Sequence, residues 1–233
     1  MPNRNSYLSV SLSPETRCAC AQLQQALDEA VVGDGHKFSP LSLDDLHLTF
    51  NFCGEELSKL PAETLKAWHL SICDEIKDLS EDLSRCTMRF SQLDVFPPGK
   101  NNLVVARFDA PEALHQLQWR TIRALQAAAA KYGHGRADLA DLRNKERDSW
   151  APHVTLGKVH APKGVVANVA HGAARKAASS ADTVTAFSML REVPAAGLSL
   201  CGAQPKHVWI DWRGTLGFAS VAASDERMGL DIE

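Results

Sequence analysis

Two tripeptides in this chain set an imidazole beside a hydroxyl: His47-Leu48-Thr49 and His153-Val154-Thr155. Each lies in an apolar frame, Leu46 to Phe50 and Pro152 to Leu156. Side chains of an extended strand alternate between its faces. Leu46, Leu48, Phe50 and Phe52 therefore share one face, and His47, Thr49 and Asn51 the other. In the second motif Val154 and Leu156 turn inward while His153 and Thr155 point out together. Imidazole and hydroxyl then stand roughly 6.6 Å apart, at about 3.3 Å per residue. Two such pairs facing each other can hold one phosphate between two histidines and two hydroxyls. With an unperturbed pKa of about 6.5, one histidine can be neutral while its twin is protonated near neutral pH. One takes a proton from an attacking oxygen and the other gives one to a leaving oxygen, each step typically contributing a factor of about 10² to 10⁴. Thr49 and Thr155 would donate hydrogen bonds to the non-bridging oxygens as charge develops there. The two histidines are near-equivalent in sequence, so neither is marked as the base.

Nine His, 18 Ser and 9 Thr among 233 residues make roughly one chance His-x-Ser/Thr, and the chain has three. The third, His69-Leu70-Ser71, lies where Leu65, Trp68, Ile72 and Ile76 recur at helical spacing. Residues two apart on a helix do not face each other, so this match is set aside as the chance one. Either of the others alone is most simply a half-buried strand histidine; the matching contexts argue for the pair.

The elements that must position them follow a repeated order. Tyr7 to Leu12 alternates as a strand, and Ser13-Pro14-Glu15 supplies an N-cap and a proline at the first helical position. A helix from about Pro14 to Val31 follows, with Cys20, Leu23 and Leu27 on one stripe and Gly33 and Gly35 ending it. After the first histidine strand a second helix spans about Pro61 to Leu79. The second half begins with a strand, Leu103 to Phe108, and Asp109-Ala110-Pro111-Glu112 opens a helix carrying Leu114, Leu117, Ile122 and Leu125. The second histidine strand, Ala151 to Val159, comes next. From proline to histidine the units span 33 and 42 positions, Pro14 to His47 and Pro111 to His153. This reads as an internal duplication of strand, helix and histidine strand, related by a pseudo-twofold axis. Between the units Thr87 to Phe96 reads as a strand, turned by Pro97-Pro98-Gly99 into a hairpin with Leu103. Thr183 to Val193 and Lys206 to Arg213 read as two further strands, and residues 219–233 as a flexible tail. Asp138 to Trp150 is a charged stretch that reads as a solvated loop, or as a lid or cationic rim because it ends at the second motif.

Composition narrows the function classes. The hydrophobic share is 45% and the charged share 23%, an ordinary globular balance. Net charge is −3, which gives no global electrostatic case for binding long duplex nucleic acid. Six Cys form no C-x-x-C pair or zinc spacing, so reduced thiols in a cytoplasmic (or nuclear) protein are expected. The N-terminal apolar alternation is too short for a signal peptide or a membrane span. The Asp and Glu residues make no evident ligand cluster with the motif histidines, so no metal or cofactor is expected.

With these motifs, the chain resembles the two-histidine (2H) phosphoesterase superfamily, which is marked by two His-x-Ser/Thr motifs about a hundred residues apart. The branch it resembles comprises the 2′-5′ RNA ligase-like proteins and the central domain of A-kinase anchoring proteins. Tyr7 to Leu12 looks like the opening strand, Leu46 to Glu56 like the first motif strand, Phe90 to Phe108 like the central hairpin and Trp150 to Val159 like the second motif. The resemblance covers residues 5–215, taken as a single domain. It implies an α+β fold: two pseudo-symmetric lobes of antiparallel sheet with outer helices around a central cleft. It also implies metal-independent phosphodiesterase chemistry, with His47 and His153 catalytic and Thr49 and Thr155 phosphate-binding. The substrates implied are 2′-5′ linked or 2′,3′-cyclic phosphodiesters of RNA or small nucleotides. The alternative is an AMP-like nucleotide-binding module with little or no turnover. A base-stacking aromatic is expected in such a cleft, with Tyr7, Phe90 and Phe96 as candidates, although strand aromatics are more often core. Lys158 is expected on the face of Val154 and Leu156, outside the site. The partners expected are a nucleotide or a short or terminal RNA, with no membrane and a monomeric chain.

Overall fold

The computed structural model describes residues 6–54, 62–96, 102–131, 150–201, 208–213 and 216–218. The Pro97-Pro98-Gly99 turn, most of the charged stretch from Asp138, and the tail from Ala219 lie outside the described residues.

The first strand, β1 (Ser6–Val10), leads into α1 (Pro14–Gly33). The cap forms as the sequence dictates: Ser13 Oγ accepts the Thr16 amide at 3.2 Å and Pro14 opens the first turn. At the other end Gly35 adopts a φ of 77°, a left-handed turn that favours glycine. Cys20, Leu23 and Leu27 are fully buried, so the predicted stripe is the packed face. A short β2 (Lys37–Pro40) and a 3₁₀ turn (Leu43–Asp45) then lead to β3 (Leu48–Gly54). Two helices, α2 (Ala62–Lys77) and α3 (Ser80–Leu83), precede the hairpin of β4 (Thr87–Phe96) and β5 (Leu103–Asp109). The second unit continues with α4 (Glu112–Lys131) and β6 (His153–His160). The chain then forms α5 (Val166–Ala178), α6 (Val184–Met189), β7 (Val193–Pro194), β8 (Gly197–Cys201), β9 (Val208–Asp211) and β10 (Leu216–Phe218).

Every described strand pairing is antiparallel, in the order β10-β9-β8-β1-β3-β6-β5-β4-β7. At the centre β3 and β6 pair at one position, Leu48 with Val154, and β2 takes the rest of that edge of β6. The sheet thus divides into two lobes with a cleft where the histidine strands part. Helices cross between the lobes: α1 follows β1 but packs on β2 and β6, while α4 follows β5 but packs on β3 and α2. Buried Gln24 of α1 braces the junction after β2, its Nε2 donating to Leu41 O at 2.9 Å and to Leu156 O at 2.7 Å, which also accepts the Leu41 amide at 3.0 Å.

The segment Thr183 to Val193 corrects the sequence expectation of a strand. It forms a 3₁₀ turn, α6 and only a two-residue strand. Thr183, Ala186 and Leu190 are fully buried and Phe187 packs beside them, which is i, i+3, i+4, i+7 spacing. The β-branched Thr183-Val184-Thr185 run masked that period. Ser180 Oγ caps the turn by accepting the Asp182 amide. Lys206 to Arg213 contains β9, as expected. His69 lies on α2, is buried there, and its pKa is lowered by burial.

Candidate active site

The single bridge between Leu48 and Val154 organises the site. Both are fully buried, so the half-buried neighbours His47, Thr49, His153 and Thr155 stand together on the opposite face. Residues opposite one another on antiparallel strands have Cβ atoms about 5 Å apart, and diagonal neighbours about 7–8 Å. The register therefore sets two imidazoles and two hydroxyls on one face of the sheet, on either side of the Leu48–Val154 bridge.

The histidines are anchored alike. His47 Nδ1 lies 2.7 Å from Asp45 O, and His153 Nδ1 lies 2.9 Å from Ala151 O. A carbonyl only accepts, so each Nδ1 carries the proton and donates it. Nε2 is then the nitrogen at which either histidine gains or loses a proton. Each ring is also held by an aromatic. Tyr7 stacks on His47 with centroids 4.6 Å apart and planes at 21°, and Phe96 leans on His153 at 4.6 Å and 35°. Burial raises the Tyr7 phenol to about 12, with Cys201 and then Asp45 adding to the shift, so it remains a neutral hydroxyl at working pH.

Trp150 joins the two motifs and was missed in the sequence. It precedes Ala151, whose carbonyl holds His153, and its Nε1 donates to Thr49 O at 3.2 Å. Its ring meets Phe50 edge-on at 5.0 Å and His115 at 5.3 Å. The signal was a tryptophan at the mouth of the Pro152-His153 motif. A second residue missed is Arg107, which lies directly across from His153 on β5. Its Nε donates to Asp94 Oδ2 at 2.6 Å, and its guanidinium lies 5.8 Å over Phe96. Burial disfavours the Asp94 carboxylate, but the Val95 amide and the Arg107 guanidinium prevail and hold its pKa below the ordinary value.

Asn51, Phe90 and Lys158 stand on faces other than those alternation predicts, each because a β-bulge inserts one residue. On β3 Phe50 is extra: Ser9 pairs with Thr49 but Leu8 with Asn51. Asn51 is therefore buried towards α4, where its Nδ2 donates to Thr121 Oγ1 at 2.6 Å and Gln118 Nε2 donates to its Oδ1 at 2.8 Å. On β4 Ser91 is extra, so Phe90 pairs with Phe108 while Gln92 pairs with Arg107. Phe90 consequently packs against Phe187 at 4.9 Å and Phe108 at 6.1 Å, among core residues rather than beside the motif histidines. On β6 Leu156 is extra, so Lys158 pairs with Leu103 and joins the face of His153 and Thr155. Lys158 is exposed there.

Among the described residues, no group of three or more His, Cys, Asp or Glu side chains is placed to hold a metal ion. No described helix is long and apolar enough to cross a membrane. Cys18, Cys20, Cys73, Cys86 and Cys201 are free thiols.

No family model and no curated sequence matches the chain. Solved structures do. Kluyveromyces marxianus Usb1, in a structure with uridine monophosphate, superposes with a TM-score of 0.53 at 14% identity, covering 89% of this chain and 98% of that one. The chain shares the overall fold of that structure. TT0787 of Thermus thermophilus is 22% identical over 68% of this chain and 75% of its own, with a TM-score of 0.41. A phosphoesterase crystal structure is 18% identical over 66% of this chain and 72% of its own, with a TM-score of 0.35. The strands that carry the paired motifs, β3 and β6, are neighbours at the centre of the sheet.

Proposed function

We propose that the protein is a phosphoric diester hydrolase that opens 2′,3′-cyclic or cleaves 2′-5′ phosphodiesters by two-histidine acid–base catalysis. One observation carries the reading: both motif histidines donate Nδ1–H to the carbonyl two residues before them, with a threonine two residues after on the same face. Fixed rings with matching tautomers suit an in-line displacement. One neutral Nε2 takes the proton of the attacking oxygen, and the other, protonated, gives its proton to the leaving oxygen. The hydroxyls of Thr49 and Thr155 steady the non-bridging oxygens. No step calls for a metal. Uridine monophosphate on the same fold in Usb1 supports a nucleotide as the ligand. A net charge of −3 favours short or terminal ligands over long duplex.

The test is turnover in EDTA of a panel comprising uridine 2′,3′-cyclic phosphate, 2′-5′ oligoadenylate, 3′,5′-cyclic AMP and 3′-5′ RNA. Turnover is expected for one or both of the first two. Micromolar to millimolar nucleotide binding with no turnover of any would favour the binding-module reading. Activity appearing only with added Mg²⁺ or Mn²⁺ would overturn the metal-free chemistry.

A further inference from the structure

The two halves of the cleft differ in charge, although the motifs that border it match. On the His47 side, β1 (Ser-Tyr-Leu-Ser-Val), β3 and β8 (Gly-Leu-Ser-Leu-Cys) contain no Lys or Arg. Their cleft face carries hydroxyls: Ser11 and Ser199 meet at 2.8 Å, and Ser9 lies across from Thr49. On the His153 side the same face carries two cations, Arg107 and Lys158.

Arg107 is a prepared binding group. Its side chain is only 21% exposed and Asp94, at 26%, grips it by Nε alone. The two terminal amino groups, with four N–H donors, have no partner among the described residues. Phe96 supports the guanidinium, and Asp94 is itself fixed by the Val95 amide at 2.7 Å. A guanidinium held at one edge loses little conformational freedom when its other edge takes a planar or tetrahedral anion. Both partners that orient it lie on β4, two strands beyond β6, so it is drawn to the side of His153 away from His47. The space between the histidines lies in the other direction.

We propose that Arg107 forms a subsite for a second phosphate of the substrate, on the His153 side of the reacting one. The proposal rests on the reading above in placing the reacting phosphate between His47 and His153. It gives the cleft a direction: the more anionic end of the ligand lies over β5 and β4, and the end without a second phosphate lies against the hydroxyl-lined β1 and β8. The second phosphate is either a terminal monoester or the next diester of a short oligonucleotide.

Equilibrium binding of non-reacting ligands tests it: uridine 3′-monophosphate, uridine 3′,5′-bisphosphate, and the dinucleotide dApU with a 3′-phosphate, whose internal diester lacks the neighbouring 2′-hydroxyl. One of the two doubly phosphorylated ligands is expected to bind about tenfold tighter or more than the monophosphate, and which one does so identifies the source of the second phosphate. Arg107→Ala should reduce that ratio to about twofold or less, and Arg107→Lys should retain part of it, with urea unfolding confirming that both variants are folded. Equal affinities for all three ligands in the native protein would overturn the subsite, as would an undiminished ratio in folded Arg107→Ala or Arg107→Lys. These ligands do not react, so a preference that persists in a protein without turnover removes the proposed reaction and leaves the subsite standing.

Discussion

At the scale of single residues, the site depends on holding two imidazoles still. A histidine on a strand end turns freely about two bonds, and each ring here is fixed by one hydrogen bond and one aromatic contact. Stacked aromatic pairs contribute about 0.5–1.5 kcal/mol beyond their burial. Tyr7→Ala should therefore lower kcat about 3- to 10-fold through a less ordered His47, while Tyr7→Phe, which keeps the ring, should lose less. Steady-state kinetics of the two variants separate ring from hydroxyl: equal losses would assign the role to the phenol instead. The motif residues were legible because alternation at His47-Leu48-Thr49 and His153-Val154-Thr155 is uninterrupted. Trp150 and Arg107 were not, because their significance lies in partners far along the chain, Thr49 and His153.

At the scale of elements, the β-bulges decide what faces the cleft. Strand alternation is a counting rule, and one inserted residue reverses it for everything beyond. That is why Asn51 and Lys158 were assigned to the wrong faces, and why Phe90 packs in the core while Phe96, beyond the bulge in β4, reaches His153. Nothing in the composition of Phe50, Ser91 or Leu156 announces a bulge. The bulge in β6 is followed by Gly157, where β2 comes very close. A Cβ on Gly157 would lie 2.4 Å from the Phe38 ring and 2.6 Å from Ser39 O. One of these is backbone, so the clash cannot be relieved by a rotamer change. Gly157→Ala should destabilise the fold by about 1–3 kcal/mol, read as a lower urea midpoint with an unchanged slope. A midpoint equal to that of the native chain would show that β2 does not press on β6 in this way.

At the scale of the whole molecule, a repeated strand–helix–histidine-strand order builds one sheet that parts at its centre. The duplication was visible in the matching Pro-Glu helix starts and motif strands. The exchange of helices between lobes was not, because helical periodicity shows that a face is buried but not against what. The Ala-rich segment that becomes α5 shows the same limit: Ala170, Ala173, Ala174 and Ala177 form its buried face, and small apolar residues on a polar background give a weak period. The central claim is that the two lobes deliver two histidines to one phosphate, one neutral and one protonated. The most direct measurement is the pH dependence of kcat/KM on a 2′,3′-cyclic nucleotide in EDTA, for the native protein and for His47→Ala and His153→Ala. The account predicts a bell-shaped profile whose two apparent pKa values belong to the histidine pair, with each substitution costing about 10² or more in rate and removing one limb. A rate that rises monotonically from about pH 5 to 9, or that survives either substitution, would contradict it.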